Sequence, residues 1–278
     1  MISRQMRHQL KQMLSTLILL AVCAIFTFPV LWMITASFKS NQEFIRVFPF
    51  MPEKFDLVYF RQLLSGRWIP FVQQYISTFL IATFQTIGAT VFALGAAFVF
   101  ARYRFRFSRL LYLLAISVIL IPHQVIIVPL FTWINRLGLY DNIFAVILPG
   151  MVSGIGILFL TEIIRRVPND LLDIARVEGA SEYQLLPIIY PLIRPGVLTY
   201  ALIHFILAWH EHFLPLILLD TPEKLTVSVA LNSLGSANLR VGYALLMAGG
   251  TLTLIPTILF YLVVRRHFDS TLSQLTSV

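Results

Sequence analysis

His210-Glu211-His212 carries three side chains able to do chemistry, and a metal site is the chemistry that stretch suggests. Residues two apart point to different faces of a helix, so the two histidines do not readily share one ion. No metal site is expected. The chain has no G-x-x-x-x-G-K-[ST], no H-E-x-x-H and no C-x-x-C. It therefore does not cradle ATP phosphates itself. A single cysteine, Cys23, excludes a disulfide framework and reads as an inert buried thiol. No Ser/His/Asp arrangement can be argued, and no catalytic residue is assigned.

The elements that must position these residues are apolar. Of 278 residues 58% are hydrophobic and 12% charged, against about 25% charged in an ordinary soluble domain. That composition argues against a water-soluble enzyme and against a disordered chain. The net charge of +8 reads as the flanks of membrane spans, not as a nucleic-acid surface. Six runs are long enough to cross a bilayer, at roughly 20 apolar residues each. They are 13–36, 75–101, 110–133, 142–160, 196–219 and 241–264, and Glu211 is the one Asp, Glu, Lys or Arg inside them. Internal prolines such as Pro122 and Pro149 do not argue against helix, since neighbours in a bundle satisfy the freed backbone groups. The expectation is an all-α integral membrane protein of six transmembrane helices and one domain, 1–278.

Orientation follows from Lys and Arg. With the N-terminus inside, thirteen fall in cytoplasmic pieces and eight outside. The short loop Arg102–Arg109 holds four of the thirteen. Both termini are expected in the cytoplasm.

The cytoplasmic piece 161–195 is not a plain linker. Asn169 or Asp170 can cap a helix, and Leu171, Leu172, Ala175 and Val177 give it an apolar side. Gly179 ends it in the left-handed conformation that glycine accepts. Ser181-Glu182-Tyr183-Gln184 reads as a capping box opening a second helix, punctuated by Pro187, Pro191 and Pro195. A connector needs only polarity and flexibility. Caps, a tight turn and an apolar side suggest a surface shaped for a partner.

At these residues the sequence resembles a family. Asp173-Ile174-Ala175-Arg176-Val177-Glu178-Gly179-Ala180-Ser181, then Ile189-Tyr190-Pro191-Leu192 and Pro195, is similar to the EAA loop of binding-protein-dependent ABC importer permeases. Asp173 stands for the usual Glu, Ile174 for Ala and Glu178 for Asp. Further stretches resemble the carbohydrate subfamily along nearly the whole chain. They are Pro29–Lys39, Val128-Pro129-Leu130-Phe131, Leu137–Asn142, Trp209–Leu216 and Arg265-Arg266-His267-Phe268. The tail Thr271–Val278 departs from that subfamily's glycine-rich ending.

The resemblance implies a type I ABC importer permease fold in a bacterial or archaeal cytoplasmic membrane. It implies a second homologous permease, two ATP-binding subunits that hold ATP and Mg, and an extracytoplasmic solute-binding protein that delivers a sugar. The chain itself is then no enzyme and carries no cofactor. Asp173, Ala175, Glu178, Gly179 and Ala180 are implied to couple it to the ATPase. Trp209 and Glu211 become candidates for the substrate pathway, because sugars stack on aromatic faces and bond to polar groups. An interfacial anchor is the competing role of Trp209. The alternatives are another solute (glycerol phosphate, a polyol, an amino acid or a peptide) or a membrane-embedded scaffold or enzyme.

Overall fold

A computed structural model of the chain describes residues 4–46, 50–236 and 242–265. Among them every regular element is helical. In chain order these are α1 (Arg4–Ala36), α2 (Asn41–Arg46), α3 (Val58–Leu64), α4 (Phe71–Arg102), α5 (Ser108–Ser117), α6 (His123–Arg136), α7 (Ile143–Gly150) and α8 (Gly154–Arg165). They continue as α9 (Asn169–Val177), α10 (Glu182–Trp209), α11 (Phe213–Leu218), α12 (Val227–Ser236) and α13 (Tyr243–Arg265). Five helical stretches are long and apolar enough to cross a membrane, six if α5 and α6 form one bent span. The Arg266-His267-Phe268 part of the last resembling stretch, and the tail 271–278, lie outside the described residues.

The spans agree with the sequence for α1, α4 and α13, and depart from it in the middle of the chain. The run 110–133 is not one straight helix, because α5 and α6 meet at 103°. Ile121 is extended there, with ψ 117°. Pro122 follows it, and the residue before a proline is pushed out of helical geometry. The run 142–160 reaches Arg165 and breaks at Met151–Ser153, where the Ser153 hydroxyl accepts from Gly156 N–H at 3.1 Å and starts α8. The run 196–219 is also corrected: α10 starts at Glu182 and ends at Trp209, and α11 is separate. The cytoplasmic loop expected at 161–195 therefore shrinks to 166–181. Three prolines lie inside α10 without ending it.

The residues group into two compact units. The first holds residues 1–68 and 231–254. In it, α1 side chains from His8 to Leu31 are exposed, including Cys23, which is therefore not buried within this chain. An apolar helix face left this open within the chain is suited to lipid or to another chain. Below it Lys39 is buried, its ammonium 5.6 Å from the centre of the Trp32 ring. Phe38 packs on Phe55 and Phe60.

The second unit holds residues 69–230 and 255–278. Its axis is α4, about 48 Å long at 1.5 Å per residue. Small residues Gly88, Ala89, Ala93 and Ala97 lie on one buried side of α4, where they let neighbouring backbones approach closely. Gly156 of α8 sits there, with Ala93 and the Tyr200 ring so close that any Cβ would collide. One core joins Ala93, Leu160, Ile164, Leu185, Ile189 and Tyr200 to Leu172 of α9. A second, toward the other end of α4, joins Ile81, Val146, Ile147, Leu214 and Leu218.

Candidate functional site

The segment 166–188 is built on the first of those cores. Pro168, not Asn169 or Asp170, occupies the N-cap position of α9, and no side chain caps that end. Leu172 is 2% exposed and fixes the helix to α8 and α10. Truncating a side chain so enclosed costs about 2–5 kcal/mol. Gly179 ends the helix with φ 92°, as its position after the apolar run predicts. Space around a Cβ there is open, so the demand for glycine is purely one of backbone conformation. The Gln184 side chain then accepts from the Ser181 N–H at 2.7 Å, closing the expected box at the start of α10.

Of the five coupling candidates, Ala175, Glu178, Gly179 and Ala180 line one open cleft of about 570 Å³, together with Gln184, Pro187 and Ile188. Asp173 stands outside it, its carboxylate 2.8 Å from Arg176. Arg176 is not a lone solvated charge. Its guanidinium also meets Glu182 across the turn at 3.0 Å. Glu182 accepts in turn from the Tyr103 hydroxyl, and that contact, ahead of burial, raises the Tyr103 phenol above its ordinary value. Along the outer edge Ile174, Val177 and Tyr183 are exposed, the last two at 87% and 92%. Large apolar side chains held this openly on a fixed backbone mark an interaction surface.

Sequence reasoning missed Arg102, which counted only as one basic residue of a short loop. It ends α4 and donates to Asn169 Oδ1 and to the carbonyls of Ile164 and Val167, the last at 2.6 Å. Its partners are 62 to 67 positions away, and two of them are backbone atoms, so no local pattern announces them.

The two pathway candidates separate. Trp209 is 2% exposed, stacked on Phe205 at 5.9 Å and met edge-on by Tyr75 at 5.3 Å. Both contacts cover the ring, so in this conformation it is a packing residue. Glu211 is half-buried on the wall of a cavity of about 390 Å³. One of its oxygens accepts from the N–H groups of His212, Phe213 and Leu214 at 3.1, 2.9 and 3.3 Å and so caps α11. Gln85, Ser153 and His204 line the same cavity. All three helix interruptions border it: Val118 and Ile119 before Pro122, the Pro149–Ile155 break, and Glu211 after Trp209. Broken backbone inside a membrane bundle is tolerated where it is buried or lines a cavity.

At the opposite end of α4 from Arg102, Asp141 adopts φ 54°. Its carboxylate accepts from Asp220 N–H and Thr221 N–H, both at 2.9 Å, from the Thr221 hydroxyl, and from Lys224 at 2.8 Å. Burial works against that charge, yet Lys224, Thr221 and the two backbone donors outweigh it and hold the carboxyl well below the usual range.

The comparisons with known proteins agree with this architecture. Residues 89–274 match the family described as binding-protein-dependent transport system inner membrane component. The chain belongs to that family, a class of multi-pass transport proteins. It is 26% identical over 262 residues to the arabinooligosaccharides transport system permease protein AraQ of Bacillus subtilis, covering 93% of this chain and 92% of that one. It is 30% identical over 250 residues to the trehalose transport system permease protein SugB of Mycobacterium tuberculosis, covering 88% and 90%. In fold it is similar to a chain of a bacterial ABC transporter involved in alginate import, with TM-score 0.78, 23% identity and coverage of 96% and 99%.

Proposed function

We propose that this chain is the permease subunit of an ATP-driven importer for a sugar or oligosaccharide, oriented with both termini in the cytoplasm. The observation that carries the reading is the α9–Gly179–α10 unit. Its backbone is fixed by Leu172 and the Arg176 ion pairs, and its apolar edge at Ile174, Val177 and Tyr183 is left open. That is a docking surface for an ATP-binding subunit, with the cleft at Ala175, Glu178, Gly179 and Ala180 beside it. ATP and Mg belong to that partner, since this sequence has no phosphate loop. A movement delivered there shifts the packing of the spans between two discrete arrangements.

Carbohydrate is favoured as cargo by the names of the relatives and by the polar groups around the cavity, Gln85, Ser153, His204 and Glu211. A solute-binding protein outside the membrane and a second permease complete the assembly.

Co-purification tests this. A tagged chain solubilised from its native membrane should bring down an ATP-binding protein and a second permease, and the reconstituted complex should take up labelled oligosaccharide only with ATP and the binding protein. Recovery of the chain with no ATP-binding protein, or ATP hydrolysis by the purified chain alone, would overturn the reading.

A further inference from the structure

Two consecutive residues at the end of α4 grip the cytoplasmic segment from opposite sides. Arg102 holds the entry to α9: one guanidinium nitrogen donates to Asn169 Oδ1, the other to the carbonyls of Ile164 and Val167. The Ile164 carbonyl lies four residues before Pro168, which has no N–H to offer it; it accepts instead from the Val167 N–H at 3.1 Å, and the guanidinium adds a second donor. Tyr103 holds the exit. Its hydroxyl donates to Glu182, and Glu182 accepts from Arg176 of α9 at 3.0 and 3.4 Å.

The other end of α4 is tied as firmly. Gln74 donates to the Pro222 carbonyl at 2.9 Å and the Ser77 hydroxyl to the Glu223 carbonyl at 3.0 Å. Thr78 accepts from the Val227 N–H at 2.9 Å. Between these ends α4 runs 32 residues with no proline, whereas α1, α10 and α13 each contain at least one. Proline is the commonest cause of a sharp kink, so α4 is the stiffer member.

We propose that Arg102 and Tyr103 are positioning residues of the transport cycle. They lock α4 to the coupling segment, so that α4 moves with it as one strut and carries its displacement to the 220–226 loop at the far end. The covalent routes from α9 into α8 and α10 are then joined by a third, non-covalent one through α4. This rests on the reading that α9 docks an ATP-binding subunit. A planar guanidinium serves three acceptors on two elements at once, and a lysine ammonium in its place reaches fewer of them.

The experiment uses the complete complex, reconstituted with its ATPase and binding protein. It measures cargo taken up per ATP hydrolysed, alongside the amount of ATPase co-purified. Arg102→Ala and Tyr103→Phe should retain the ATPase and its hydrolysis while uptake per ATP falls about tenfold for Arg102→Ala, within the usual range for coupling between sites. Tyr103→Phe should show a smaller fall, and Arg102→Lys should lie between Arg102→Ala and the parent. A parental ratio in Arg102→Ala and Tyr103→Phe overturns the proposal, as does an equal fall in uptake and hydrolysis, which a merely structural role would give. If Arg102→Ala fails to assemble, Tyr103→Phe decides, since it removes one oxygen atom. Absence of ATPase from the parent complex counts instead against the docking reading.

Discussion

Arg176 and Glu182 face each other across the turn made by Gly179, with Nε 3.0 Å from Oε1. Both side chains are more than a third exposed, and solvent-screened pairs of that kind contribute little to stability. The pair therefore sets geometry more than stability. Arg176→Ala should leave the melting temperature in detergent nearly unchanged while lowering ATP-driven uptake. A large fall in melting temperature would show that the pair holds the fold.

Gly179→Asp meets open space but needs positive φ, which costs a residue with a Cβ roughly 1 kcal/mol or more. Insertion should survive, uptake should be lost, and recovery of the ATPase should drop. Asp173→Lys should do the same, because it sets a cation three positions from Arg176 in place of its partner. Normal transport by both variants would reduce the segment to a connector.

Topology is open to labelling in a background where Cys23 is serine. A cysteine at Arg106 should react only with permeant reagents and one at Glu223 with impermeant reagents, since both positions are exposed. The opposite pattern would invert the chain.

Glu211 has two separable contributions. Glu211→Leu leaves the first three donors of the α11 turn without their acceptor, at about 1–3 kcal/mol. Glu211→Gln keeps an acceptor oxygen but no charge. The leucine variant should melt lower than the glutamine one, and both should show reduced uptake if the cavity wall meets cargo. Parental uptake by Glu211→Gln would limit Glu211 to capping.

Asp141 gives a pH test. Its carboxyl is held below the usual range, so its contribution is present above the unfolded value near pH 4 and is lost only as pH falls below that. Asp141→Asn keeps a residue that tolerates positive φ. It should lower stability by about 1–3 kcal/mol, evenly from pH 8 to 5, with the gap to the parent closing in stronger acid. A gap that varies across neutral pH would assign the effect to another group.

Hydropathy made the spans legible because it reads composition, and α1, α4 and α13 are unbroken apolar helices. It does not read direction, so the bend at Ile121–Pro122 and the break before Ser153 went unseen. Nor does it separate a proline that ends a helix from one carried inside it, and for that reason the foot of α10 reads as loop in the sequence. The short helices α2 and α3 have too few residues to show a period. At the site, Gly179 was legible because one glycine after an amphipathic turn has a narrow meaning. Trp209 was misleading: an aromatic side chain does not say whether its face will be open, and here Phe205 and Tyr75 cover it.

Pro187, Pro191 and Pro195 recur every four residues of α10. At 3.6 residues per turn they stack along one flank, and each lacks the N–H that would bond the carbonyl four residues back. The unmade bonds are those to Tyr183, Pro187 and Pro191. That flank of the helix is unlaced over three successive turns while the opposite flank stays stitched. Such a rod has anisotropic bending stiffness: it flexes in one plane, away from the prolines, and resists the perpendicular one. A push arriving at Glu182 would therefore bend the helix in that one plane before it reached Trp209.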